Sequence, residues 1–162
     1  MAKDKKIKVG EVAPEFCLTE ADGNTICLAD LIRDGKYALL YFSPTEERKR
    51  CDRSSCPIKE NLEKVVDLGV NVAVIDPDPV EEHKRFKHDH NIKFYLLSDP
   101  EMKVIKGYGV YEKVNVSGIE KTKIVSTVFL ISPKGKIVYV WEPKVIEESI
   151  DDIIRVIKSL HR

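Results

Sequence analysis

The chain has 162 residues, the size of one ordinary domain, and 43% of them are hydrophobic. Basic and acidic side chains balance at 27 each, so no net field draws nucleic acid or an anionic membrane, and four cysteines are too few for a disulfide scaffold. Charged residues reach 33%, above the usual share of roughly 25%, an enrichment in the direction of thermophile surfaces.

The opening "MAKDKKIKVG" lacks the apolar stretch of a secretory signal, and no long apolar span follows, so a cytoplasmic protein without a membrane segment is expected. Residues 1–8, with Lys3, Lys5, Lys6 and Lys8, read as a flexible basic tail. With no repeat and no Gly/Ser linker, one domain over 1–162 is expected. "PEFCLTEADGNTICLADL" reads as a hairpin turning at Asp22-Gly23. A three-residue loop at 21–23 sets Cys17 opposite Cys27, and two small buried thiols are expected there rather than a bridge.

"KYALLYFS" and "VNVAVIDP" are continuous apolar runs bounded by turn residues, the pattern of buried central strands. Between them "IKENLEKVVDL" places Ile58, Leu62, Val65 and Val66 on one helical stripe. "DPVEEHKRFKHDH" predicts a helix with Asp78 as N-cap, Pro79 at its first position and Glu81 closing a capping box. His83, His88 and His90 on that polar helix are expected to face solvent. "FYLLSD" is a further strand, "IVSTVFLIS", "PKG" and "KIVYVWEP" make a second hairpin, and "VIEESIDDIIRVIKSL" closes the chain as an amphipathic helix. Alternating strands and helices with hairpins at both ends predict an α/β fold, a mixed sheet covered by helices.

The segment with chemistry is "SPTEERKRCDRSSCP", which follows the end of the first central strand, where ligands of open α/β sheets bind. Arg48, Lys49 and Arg50 precede Cys51 near an expected helix start, where cations and dipole together favour a thiolate. The competing reading is a solvated basic loop with Glu46 and Glu47 as partners. Metal binding is disfavoured by the C-x4-C spacing and by the lack of a second cysteine pair at ribbon spacing, and no cofactor is expected.

Several blocks in one order resemble the peroxiredoxins, closest to the bacterioferritin-comigratory or Q-type branch: "VGEVAPEFCLTEADGNTICLADL", "YFSP", "LGVNVAVID", "HKRF", "LLSDP", "YGV" and "FLISPKGKIVYVW". The resemblance implies a thioredoxin-like fold and thiol-dependent reduction of hydroperoxides. Pro44 matches the family's active-site proline, Cys51 its peroxidatic cysteine, and Cys56 the resolving cysteine of many members. Two positions depart. Arg48 stands where the family has Thr or Ser, and Ser126 stands where it has an arginine. Arg48 is a candidate to hold the Cys51 thiolate from the other side of the pocket; the alternative has it pointing to solvent.

The resemblance also implies a thioredoxin- or glutaredoxin-like reductant and a monomer or homodimer. Residues five apart in an intact helix have Cα atoms roughly 8–9 Å apart, too far for a disulfide, so the segment must unwind. Pro57 lets the regular helix begin after Cys56, which leaves that turn loosely held. Besides the two-cysteine peroxidase, the residues fit a thiol–disulfide oxidoreductase or a catalytically degenerate sensor or interaction module.

Overall fold

The computed structural model describes residues 6–160. In chain order the elements are β1 (Cys17–Glu20), β2 (Thr25–Cys27), α1 (Leu28–Leu31), β3 (Ala38–Phe42), α2 (Thr45–Lys49), α3 (Pro57–Val66), β4 (Asn71–Asp76) and α4 (Val80–His90). There follow β5 (Tyr95–Ser98), α5 (Lys103–Gly107), β6 (Tyr111–Val116), β7 (Ile119–Ile124), β8 (Thr127–Ile131), β9 (Ile137–Trp141) and α6 (Ile150–Leu160). Seven strands form one mixed sheet in the order β2-β1-β5-β4-β3-β8-β9.

β3 lies near the centre because every one of its residues can be buried. It pairs parallel with β4, Ala38 opposite Asn71, and antiparallel with β8, Ala38 opposite Ile131. Side chains alternate across the sheet, so one strand feeds two cores. Leu39 and Tyr41 pack with Ile58, Leu62 and Val65 of α3, Phe86 of α4 and Ile153 of α6. Leu40 and Phe42 face the other way, among Leu31, Tyr108 and Phe129. Each such side chain contributes about 1.5–3 kcal/mol on burial. The helical stripe of α3 is therefore what holds that helix to the sheet.

Four features differ from the sequence expectation. α4 starts at Val80 with Pro79 as its N-cap and no side-chain cap. Asp78 is not the cap because its carboxylate is taken by Arg48 and by Thr45 Oγ1, the latter at 3.2 Å. Of the basic tail, Lys6 pairs with Glu142, the Ile7 N–H donates to Tyr108 O at 3.1 Å and the Lys8 N–H to Glu11 at 2.8 Å. Lys3 and Lys5 lie outside the described residues. The hairpin β6–β7 forms a separate two-stranded sheet whose exposed residues give no apolar run to read. Its turn has positive φ at both Ser117 and Gly118, the backbone that a tight hairpin requires.

The fourth difference is a disulfide between Cys17 and Cys27, where two free thiols were expected. The opposed register was right, Cys17 facing Cys27. The Leu28 N–H bonds to Phe16 O and the Glu20 N–H to Asn24 O, which makes the cysteine pair between them a non-hydrogen-bonded one. Side chains approach most closely at such pairs, and the two Cα atoms are 3.9 Å apart. Both sulfurs also lie at the surface end of the hairpin, Cys17 exposed and Cys27 half-buried, rather than in the core.

Candidate active site

β3 delivers the chain to the site. Beyond Phe42 the Ser43 N–H still donates to Ile75 O at 3.2 Å, and Pro44 then turns the chain and serves as N-cap of α2. α2 is only five residues long, far below the length at which a helix holds in water by itself. Side chains hold it to the strands instead. Arg48 is buried at 8% exposure, its Nε donating to Asp76 Oδ2 at 3.2 Å and its Nη2 to Asp78, with the guanidinium carbon 5.3 Å from the Phe86 ring centre. Asp76 is fully buried, and its other oxygen bonds His83 Nε2 at 2.7 Å and accepts the Asp78 N–H at 2.9 Å.

On the other side of α2 the buried Glu47 accepts from Tyr41 Oη at 2.8 Å and from Arg50 Nη1 at 2.6 Å. Burial pushes the Tyr41 phenol well above its ordinary pKa, so it is a neutral donor to that carboxylate. Arg50 also reaches Glu147 in the turn before α6, and its hydrogen bond holds that carboxyl below the usual range. Ser126 Oγ lies 3.4 Å from the Tyr41 oxygen.

After α2 the chain leaves the helix. Cys51 and Cys56 are joined by a disulfide with Cα atoms 4.0 Å apart. An uninterrupted helix would separate them by about 8.7 Å, so the closed bond and an intact helix exclude each other. The four residues between them form a loop around Asp52, whose Oδ1 accepts the Ser54 N–H at 2.8 Å, the Ser55 N–H at 2.9 Å and the Ser54 hydroxyl at 2.9 Å. Regular helix resumes at Pro57, as its position after Cys56 led one to expect.

Several sequence expectations need correcting here. Cys51 does not stand at a helix N-terminus: it follows the last turn of α2, its N–H donating to Arg48 O at 3.1 Å. The cations before it occupy the C-terminal end of α2, where the dipole favours them. Arg48 points neither to solvent nor to sulfur, because two carboxylates at the end of β4 claim it. Glu47 is a buried acceptor, not a solvated partner. His83 is fully buried through its bond to Asp76, while His88 is exposed and His90 half-buried.

Pro44 and the disulfide line different clefts. Pro44, Pro77, Met102 and Ile124 border one of about 190 Å³. Cys51, Asp52, Arg53, Asp89 and His90 border one of about 350 Å³. Sequence reasoning missed Tyr41, Asp76 and the roles of Glu47 and His83. Asp76 had a signal, a carboxylate ending an unbroken apolar strand at the sheet's carboxyl edge. Among the described residues no three His, Cys, Asp or Glu side chains gather as a metal site, and no helix is long and apolar enough to cross a membrane.

The chain has relatives in both sequence and fold. The AhpC/TSA family model matches residues 9–140. Peroxiredoxin Bcp of Escherichia coli K12 is 32% identical over 136 residues, 84% of this chain and 86% of that protein. Peroxiredoxin Bcp of Bacillus subtilis is 29% identical over 154 residues, 95% of this chain and 97% of that protein. Among solved structures, peroxidoxin BcpB of Mycobacterium tuberculosis superimposes with a TM-score of 0.76 at 22% identity, covering 96% of this chain and 99% of that one. The bacterioferritin comigratory protein of Xanthomonas campestris, studied for alkyl peroxide reduction, gives 0.72 at 21% identity, covering 91% and 92%. The fold is thus the thioredoxin-like architecture of those structures, and by sequence the chain belongs to the AhpC/TSA family, alongside the Bcp peroxiredoxins.

Proposed function

We propose that the protein is a cytoplasmic, single-domain thiol peroxidase in which Cys51 is the peroxidatic and Cys56 the resolving cysteine. The observation that carries this reading is the Cys51–Cys56 disulfide in a segment unwound between two helices, at the carboxyl end of β3. The Cys51 thiolate attacks one peroxide oxygen, the O–O bond breaks, and water or an alcohol leaves with a proton. Cys51 is now a sulfenic acid. The Cys56 thiol displaces its hydroxyl as water, and the disulfide forms. An external dithiol of the thioredoxin or glutaredoxin kind attacks that bond, leaves oxidised itself, and returns both thiols.

The departures at Arg48 and Ser126 shape this reading. In the disulfide-closed state Arg48 is committed to Asp76 and Asp78, so its part is to seat α2 beneath the reacting cysteine. Pro44, with no N–H, caps α2 without adding a donor to the pocket. The alkyl peroxide reduction studied in the Xanthomonas protein extends the substrate class to organic hydroperoxides.

Consumption of hydrogen peroxide and of an alkyl hydroperoxide, with dithiothreitol as reductant, tests the proposal. Cys51→Ser is expected to fall to the uncatalysed rate. A variant lacking Cys51 that still consumes peroxide overturns the reading. Dithiol oxidation of disulfide substrates without peroxide consumption by the wild type assigns the pair to thiol–disulfide exchange.

A further inference from the structure

Unwinding a helical turn leaves backbone donors without acceptors, and something must take them. In an uninterrupted helix the Ser54 N–H would donate to the carbonyl of Arg50 and the Ser55 N–H to that of Cys51. Both acceptors are lost once Cys51 swings to within bonding distance of Cys56. In the structure both N–H groups donate instead to one oxygen of Asp52, which also accepts the Ser54 hydroxyl. The Asp52 N–H donates to Ser55 O at 2.8 Å, closing the loop from the other side. The side chain is exposed and spans no neighbouring element, so its partners all belong to the unwound loop.

We propose that Asp52 is a positioning residue for the resolving step: its carboxylate replaces the backbone acceptors lost on unwinding and so favours the disulfide-closed loop over the helical dithiol. The inference rests on the reading of Cys51 and Cys56 as the redox pair. Asp52 touches neither sulfur. It acts through the Ser54 and Ser55 amides, which fix the path of the four residues between the cysteines. In a dithiol whose segment is helical the backbone would satisfy those amides, and the carboxylate would have no comparable work. Its stabilisation is therefore differential and must appear in the equilibrium between dithiol and disulfide. When an external dithiol reduces the loop, its two hydrogens and electron pair pass to the two sulfurs, and the Asp52 bonds break as the helix reforms.

The test equilibrates the full chain in dithiothreitol redox buffers and reads the Cys51–Cys56 midpoint by thiol alkylation and peptide mass. Asp52→Ala removes the acceptor, while Asp52→Asn keeps a neutral acceptor oxygen. Asp52→Ala is expected to shift the equilibrium toward the dithiol about tenfold, about 30 mV for this two-electron couple. Asp52→Asn is expected to fall between Asp52→Ala and the wild type. An unshifted Asp52→Ala midpoint overturns the proposal, as does an Asn variant no better than the Ala variant. The midpoint measurement uses no peroxide, so it fails or succeeds independently of the peroxidase assay.

Discussion

Tyr41 and Glu47, six residues apart, meet inside the protein: the Tyr41 phenol donates to the Glu47 carboxylate at 2.8 Å one helical turn before Cys51. Tyr41 is fully buried and Glu47 is 3% exposed, so the bond ties the floor of α2 to the central strand in a dry setting. Tyr41→Phe keeps the ring and removes only the donor, leaving Glu47 to Arg50. The expected cost is about 1–3 kcal/mol, the penalty of an under-satisfied buried acceptor. Denaturant unfolding of the oxidised protein measures it, and a loss below a few tenths of a kcal/mol would show that Arg50 alone satisfies Glu47.

Asp76 carries a larger consequence. It is the only carboxylate that touches both Arg48 and His83 among the described residues, and it is wholly buried. Asp76→Ala leaves a guanidinium nearly buried beside Asp78 alone and a buried imidazole without its partner. Breaking a buried charge pair in this way costs about 3–5 kcal/mol. Unfolding midpoints for Asp76→Ala and Asp76→Asn separate the charge from the hydrogen bonds, with Asn expected to lose less. Equal losses in both variants would assign the whole effect to charge.

The bridge between Cys17 and Cys27 closes a short loop, with a sequence separation of ten. Constraining an unfolded chain to that extent is worth about 3 kcal/mol. Cys17→Ser is expected to lower the melting temperature by about 6–12 °C, at 2–4 °C per kcal/mol for a chain of this size. Peroxide turnover should stay unchanged, since neither sulfur lies in the clefts lined by Cys51 or Pro44. A melt unaffected by the substitution would mean that the hairpin is held without the bond.

Asp52 gives the oxidised protein a distinctive acid response. The Ser54 amide first, then its hydroxyl and the Ser55 amide, hold this carboxyl below the ordinary range; Arg53, Lys59, Glu60, Asp89 and His90 line the clefts it borders. A carboxyl depressed in the folded state contributes stability above its ordinary value, about 3.9, and loses it as pH falls through the depressed value. The melting-temperature gap between oxidised wild type and Asp52→Asn should be constant from pH 7 to about 4 and close below that. A gap that stays open in acid would rule out the carboxylate charge as its source.

The architecture was legible because "ALLYF" and "VAVI" are short apolar runs bounded by turn residues, as strands covered on both faces are. The start of α3 was legible because Pro57 marks where a helix can begin, while the pairing of Cys51 with Cys56 came from the family resemblance. The buried polar network was not. Glu47, Arg48 and His83 look solvated in sequence because each sits in a charged run, and burial becomes affordable only when Tyr41 and Asp76 arrive from strands elsewhere in the chain. Periodicity records which face a residue occupies, not what a distant carboxylate will do to it. Asp78 shows the same limit: its sequence pattern suits an N-cap, yet the helix starts one residue later with Pro79 as its cap, and Arg48 takes the carboxylate. The β6–β7 hairpin escaped notice because its strands bury little, leaving Ser117-Gly118 as the one local sign.

The first hairpin forms one border of the sheet, and β2, with three residues, is its outermost strand. A border strand exposes unpaired amides and carbonyls to any passing chain, and a slip of one residue would turn Ile26 out of the core. A covalent tie at Cys17↔Cys27 forbids that slip, because only one alignment brings the sulfurs together. The bond therefore guards against clumping as much as against melting. In a strongly reducing setting the border is free to shift and to accept a foreign strand, and heated samples should begin to precipitate from that side of the molecule.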